Sequence, residues 1–127
     1  MLQGQRVLVV DDEPTIADTL ARILQSKGYE AIPVHSGEEA VALASTFLPD
    51  IAILDVMLGG LNGMDAASLI LQHRPSCHIV LFSGHPETAK LVKSGATPFE
   101  ILAKPVSPDR LLEHLASFEA PPPSPAD

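Results

Sequence analysis

The sequence predicts a doubly wound α/β fold, a five-stranded parallel sheet flanked by five helices, and three observations carry the prediction. Short apolar runs rich in β-branched residues alternate with stretches of helical periodicity. Four of these runs end in a polar residue: Asp11 after Arg6-Val7-Leu8-Val9-Val10, Asp55 after Ile51-Ala52-Ile53-Leu54, Ser83 after His78-Ile79-Val80-Leu81-Phe82, and Lys104 after Ile101-Leu102-Ala103. The remaining run, Ala31-Ile32-Pro33-Val34, holds a proline that cannot donate to a ladder and therefore belongs at a sheet edge. With right-handed crossovers, that edge strand favours the order 2-1-3-4-5. Strands one and three are then neighbours, the winding reverses between them, and the polar strand ends share one rim.

Each helix has its own local signals. Pro14 suits a first helical turn, Ile16, Leu20, Ile23 and Leu24 follow at helical spacing, and Gly28 can close the helix. Ser36 and Glu39 have capping-box spacing and open a second helix through about Phe47. After Asp55 the loop Leu58-Gly59-Gly60-Leu61-Asn62-Gly63 leads to a third helix reaching about His73, with Met64, Ala67 and Leu71 on one face and Pro75 as its stop. Pro86 begins a short fourth helix that Gly95 ends. Ser107-Pro108-Asp109 caps the last helix, with Leu111, Leu115 and Phe118 on one face. Residues 1–118 thus form one domain, and 119–127 read as a proline-rich tail or linker stub.

Composition narrows the function classes. A chain of 127 residues at 46% hydrophobic is long and apolar enough for a real core. Its net charge of −8 argues against direct nucleic-acid binding by this domain, which needs a basic face. The single cysteine, Cys77, excludes an internal disulfide and opens an apolar strand, so an inert buried thiol is expected. With no membrane-length apolar run and no secretory leader ahead of Asp11, a cytoplasmic location is expected.

The set Val7-Leu8-Val9-Val10-Asp11-Asp12-Glu13, Leu54-Asp55-Val56-Met57, Ser83-Gly84 and Lys104-Pro105 resembles the receiver domain of two-component response regulators, a flavodoxin-like (CheY-like) fold. The resemblance spans roughly residues 5 to 118. No single piece is specific; five polar positions in order, each at a strand end, are. It implies a histidine kinase or histidine phosphotransfer protein as phosphoryl donor, a downstream protein partner that the sequence does not name, and no catalysis beyond the domain's own phosphorylation and dephosphorylation. It also implies Asp12 as a direct Mg²⁺ ligand, Asp11 as one through water, the Met57 carbonyl as another, and a cis Lys104-Pro105 bond.

The chemistry can be reasoned independently. Three carboxylates brought together repel unless a cation sits among them. Oxygen-only ligands at an accessible rim suit Mg²⁺. A carboxylate beside such a cation can serve as phosphoryl acceptor, here Asp55. Lys104 supplies positive charge for the phosphoryl oxygens, Ser83 a hydroxyl, and Gly84 room for its backbone amide. Singly these residues have duller readings: Asp11 or Asp12 as a helix cap, Ser83 as a turn hydroxyl, Lys104 as a solvated cation. Jointly they resist them.

Several positions depart from the receiver pattern. Gly59 stands where receivers usually carry proline, giving a looser loop. Ile101 stands at the switch position, normally aromatic, and Met57 and His85 flank the phosphoryl site, where they are expected to shield it from water. The chain is short from Ser83 to Gly95 and long from Gly95 to Lys104, so phosphorylation is expected to act by ordering residues 84–100. The expected function is a stand-alone phosphorylation-dependent switch. Its alternative is a regulatory docking module of the same fold whose binding ignores phosphorylation. A phosphatase of related fold is disfavoured because Met57 replaces the second aspartate it would need.

Overall fold

The computed structural model describes residues 5–84, 100–103 and 107–119. Strands β1 (Arg6–Val10), β2 (Glu30–Val34), β3 (Ile51–Asp55), β4 (His78–Ser83) and β5 (Glu100–Ala103) form one sheet in the order β2-β1-β3-β4-β5. All pairings are parallel. Helices α1 (Pro14–Ser26), α2 (Gly37–Phe47), α3 (Gly63–His73) and α4 (Pro108–Glu119) complete the described fold. The expected short helix at 86–95, His85 and the Lys104-Pro105 bond lie outside the described residues. No helix among the described residues is long and apolar enough to cross a membrane.

The strand runs are continuous rather than alternating because the sheet is covered on both sides. Val7, Val9, Ile51, Ile53, Val80 and Phe82 face α1 and α4, meeting Ala17, Ala21, Leu24, Leu111 and Leu115. Leu8, Val10, Ala52, Leu54, Ile79 and Leu81 face α2 and α3, meeting Ala40, Ala44, Phe47, Ala66, Ala67 and Ile70. Pro33 sits in the edge strand β2, as its missing N–H requires.

The helix ends follow local chemistry. Gly28, at φ 97°, closes α1: its N–H donates to the Gln25 carbonyl and that of Tyr29 to Leu24, a Schellman arrangement. Ser36 Oγ accepts from Glu39 N at 3.0 Å, while Glu39 Oε1 accepts from His35 N, one residue before the partner a capping box would use. Asn62 caps α3 by accepting from Asp65 N at 2.8 Å, and Ser107 caps α4 by accepting from Arg110 N at 3.2 Å.

Two local expectations shift, and one alternative reading falls away. Ile16 is exposed, and the stripe of α1 against the sheet is Ala17, Ala21 and Leu24. On α3 the buried face is Ala66, Ala67 and Ile70, with Met64 and Leu71 only half-buried. Small residues take these faces because a helix lying on a twisted sheet approaches closely, and a larger side chain fits only toward the flank. Finally, Glu13 rather than either aspartate occupies the N-cap position of α1, and its side chain makes no capping bond.

Candidate functional site

The site grows from the reversal of winding between β1 and β3. The chain crosses from β1 to β2 on one side and to β3, β4 and β5 on the other, leaving a crevice at the strand C-termini. Asp11 follows β1 directly, and its N–H donates to the Val34 carbonyl at 3.2 Å, tying it to the end of β2. Its Oδ1 accepts from Glu13 N at 2.9 Å, which turns the chain into α1 and leaves Asp11 4% exposed. Asp12, the next residue, is exposed.

Asp55 is the last residue of β3 and is 7% exposed. Its Oδ1 accepts from Met57 N at 3.0 Å, and Val56 N donates to the Phe82 carbonyl at 2.9 Å. The carboxylate is thereby held by the start of its own loop, whose backbone is in turn tied to the end of β4. Carboxylate oxygens of Asp11, Asp12 and Asp55 all lie within 4.8 Å of one another. Ser83 ends β4, is 3% exposed and pairs in register with Ala103, so the next residue in sequence after β5 is Lys104. Lys104 itself falls outside the described residues, as does His85. Gly84 is exposed, and an added Cβ there would meet nothing within 4 Å.

The donor set fits a hard divalent cation. Two largely buried carboxylates and one exposed carboxylate, all oxygen and within 4.8 Å, need positive charge among them, and Asp12 keeps the place open to water. Met57, expected to contribute only its backbone carbonyl, is 60% exposed, so its side chain lies largely in solvent beside the acceptor. Ile101 is half-buried, pairs with Leu81 and packs on the α2–α3 side of the sheet. Leu81 and Ser83 are two apart on β4, so Ile101 and Ser83 share that face.

Two residues at the site were not singled out in the sequence. Gly63, the first residue of α3, donates its N–H to the Val56 carbonyl at 3.0 Å. A Cβ there would overlap the Asp55 carbonyl oxygen and lie 2.9 Å from the Asp55 carbonyl carbon. A glycine directly after a capping asparagine, following an acidic strand end, was the available signal. Glu38 on α2 is the second; its Oε2 accepts from Leu61 N at 3.1 Å. Nothing in local spacing links it to a loop 23 residues away.

With this geometry in place, the likeness to known proteins is specific. Residues 7–116 match the response regulator receiver domain family. The chain is 32% identical over 111 residues to the DNA-binding response regulator MtrA of Mycolicibacterium smegmatis, covering 85% of this chain and 47% of that protein. It thus spans about half the length of that curated relative. A CheY-like receiver domain protein from Methanospirillum hungatei superposes with a TM-score of 0.81 at 24% identity, over 92% of this chain and 94% of the other. A response regulator from Burkholderia pseudomallei, solved with a phosphorylated aspartic acid and a calcium ion, superposes at 0.76 with 26% identity, over 92% and 74%. A receiver-family match across nearly the whole chain, on a β2-β1-β3-β4-β5 sheet with acidic residues at the rim, means that this chain belongs to the response regulator receiver domains of two-component systems.

Proposed function

We propose that this chain accepts a phosphoryl group on Asp55 from a histidine kinase or histidine phosphotransfer protein, and changes its affinity for a downstream protein as a result. The observation that carries the reading is the convergence of Asp11, Asp12 and Asp55 within 4.8 Å at the rim between β1 and β3. The phosphorylated aspartate and bound calcium of the Burkholderia pseudomallei regulator, on the same fold, support it. Asp11, Asp12, Asp55 and the Met57 carbonyl would hold Mg²⁺. When bound, that ion neutralises charge between acceptor and incoming phosphoryl oxygens.

The protein's own groups do the rest. A carboxylate oxygen of Asp55 attacks phosphorus, the phosphorus–nitrogen bond of the donor phosphohistidine breaks, and the imidazole leaves with its electron pair. The bond from Met57 N to Oδ1, 3.0 Å long, fixes the orientation in which the carboxylate meets the phosphoryl group. Ser83 is set to donate its hydroxyl to a phosphoryl oxygen, and Lys104, directly after β5, to pair with another. Hydrolysis later returns Asp55 and releases phosphate. No external substrate is turned over, so the domain acts as a switch rather than an enzyme in its own right.

The unit carrying this role would be residues 1–118, with 119–127 as a tail or linker, and the net charge of −8 speaks against DNA contact by this domain. A docking module indifferent to phosphorylation is the second reading, favoured by the half-buried Ile101 at the switch position. Intact-mass spectrometry after incubation with acetyl phosphate, with and without Mg²⁺, separates them. The switch reading expects one added phosphoryl group in the wild type with Mg²⁺ and none in Asp55→Asn. No gain in the wild type leaves the docking module.

A further inference from the structure

We propose that Glu38 is a positioning residue for the acceptor loop, clasping it from α2 and supplying stiffness that a loop proline would otherwise give. The clasp is on the described backbone; its effect on phosphorylation rests on the reading above. Three contacts define it. The Glu38 Oε2 accepts from Leu61 N at 3.1 Å. Gly60, at φ 83°, carries the chain over that carboxylate, and a Cβ there would lie 3.0 Å from Oε2. Next to it, a Cβ on Gly37 would sit 2.7 Å from the Leu61 carbonyl oxygen, so the backbone of the loop rests on the first turn of α2.

The loop needs such a hold. Its ends are fixed, by Met57 N to Asp55 Oδ1 at 3.0 Å and by Gly63 N to the Val56 carbonyl at 3.0 Å. Between them Leu58 is buried, but Gly59 would meet nothing within 4 Å even with a Cβ. Two adjacent glycines give this span more backbone freedom than any other dipeptide. A charged acceptor makes the stronger kind of hydrogen bond to a backbone amide, and Glu38 in the first turn of α2 is itself favoured by the positive helix end. The loop begins at Met57, whose N–H holds the acceptor carboxylate, so freedom at residues 59–61 is freedom next to Asp55.

Helix stabilisation and loop clasping can be separated. Glutamine keeps an acceptor oxygen but loses the charge that favours α2; alanine loses both. Proline at position 59 stiffens the loop without touching Glu38, and the Gly59 φ is not in the left-handed region that would forbid it. The experiment follows Leu61 amide exchange by NMR in the metal-free protein, and phosphorylation rate with acetyl phosphate and Mg²⁺, in wild type, Glu38→Ala, Glu38→Gln and Glu38→Ala with Gly59→Pro. Glu38→Ala should speed Leu61 exchange by about fivefold and slow phosphorylation severalfold, while Glu38→Gln, which keeps the bond but loses its charge-assisted part, should fall between wild type and Glu38→Ala in both. Adding Gly59→Pro to Glu38→Ala should restore the phosphorylation rate. Unchanged Leu61 exchange in Glu38→Ala overturns the clasp. So does a Glu38→Gln variant as impaired as Glu38→Ala, or a double variant with no recovery, since either outcome assigns Glu38 to the helix alone. If even the wild type takes no phosphoryl group, the proposed function fails, and Leu61 exchange still decides the clasp.

Discussion

Gly63→Ala should damage this protein out of proportion to its one added methyl. The Cβ would overlap the Asp55 carbonyl oxygen and come within 2.9 Å of both the Asp55 carbonyl carbon and the Val56 Cα. All three are backbone atoms, so no side chain can rotate away. Either α3 recedes or the end of β3 shifts, and both break the bond from Gly63 N to the Val56 carbonyl. Overpacking against rigid neighbours costs about 3 kcal/mol at the upper end of its usual range, and the lost hydrogen bond adds about 1. The better helix propensity of alanine returns at most about 1. A net loss of about 3 kcal/mol results. In urea, with a slope of about 2 kcal/mol per molar for a domain of this size, the midpoint should fall by roughly 1.5 M. Ser68→Ala, at an exposed position on the same helix, is the control and should leave the midpoint nearly unchanged. A Gly63→Ala midpoint within about 0.3 M of wild type would refute the reasoning, because the β3–α3 junction would then be soft rather than close-packed.

Three other outcomes follow from the same geometry. Asp12→Asn should stabilise the metal-free protein by about 1 kcal/mol in a water-like dielectric by relieving repulsion at the rim, and should remove the rise in melting temperature that Mg²⁺ gives the wild type; calorimetry with and without Mg²⁺ checks both. Burial pushes the Cys77 thiol from 9.0 up to about 12, with Asp50 adding to the rise and Arg74 opposing it. A raised folded value means its stabilisation is complete below pH 9 and is lost as pH climbs toward 12, with a slope of order 1 kcal/mol per pH unit, so the stability difference between wild type and Cys77→Ala should be constant below pH 9 and change only in that window. Met57, with an exposed side chain beside the acceptor, offers no carboxamide to orient water, so Met57→Asn should hydrolyse its phosphoryl group severalfold faster, as read by decay of the phosphorylated mass; equal or slower decay contradicts the shielding role.

Legibility in the sequence tracked the range of the interaction. The strands showed because burial on both sides demands unbroken apolar runs, and Pro33 marked the edge because a missing N–H has few places to go. The helix ends showed because Gly28, Ser36 and Ser107 act on backbone within a few residues. The acidic trio showed because a parallel sheet brings strand ends together whatever the loops do. Helix faces were harder to read, since close approach to the sheet favours alanine, and Ala17 and Ala21 carry little hydrophobic signal beside the exposed Ile16. Contacts made across long sequence separations were not legible. Asp50 accepts from Arg6 N at 2.8 Å and from Arg74 Nη2 at 2.9 Å, clamping the opposite end of the sheet, yet in sequence it is one more aspartate before a strand. Glu38 on Leu61 is of the same kind.

The central claim, that the carboxylate of Asp55 is the atom group that takes the phosphoryl, is tested most directly by trapping it. Borohydride reduces an acyl phosphate to the alcohol, so protein treated with acetyl phosphate and Mg²⁺ and then reduced carries homoserine at the modified aspartate. Peptide mass spectrometry should find that conversion at residue 55 alone, dependent on Mg²⁺ and absent when phosphodonor is omitted. Conversion at Asp11 or Asp12 instead, or at no residue while the intact protein gains a phosphoryl group, would contradict it.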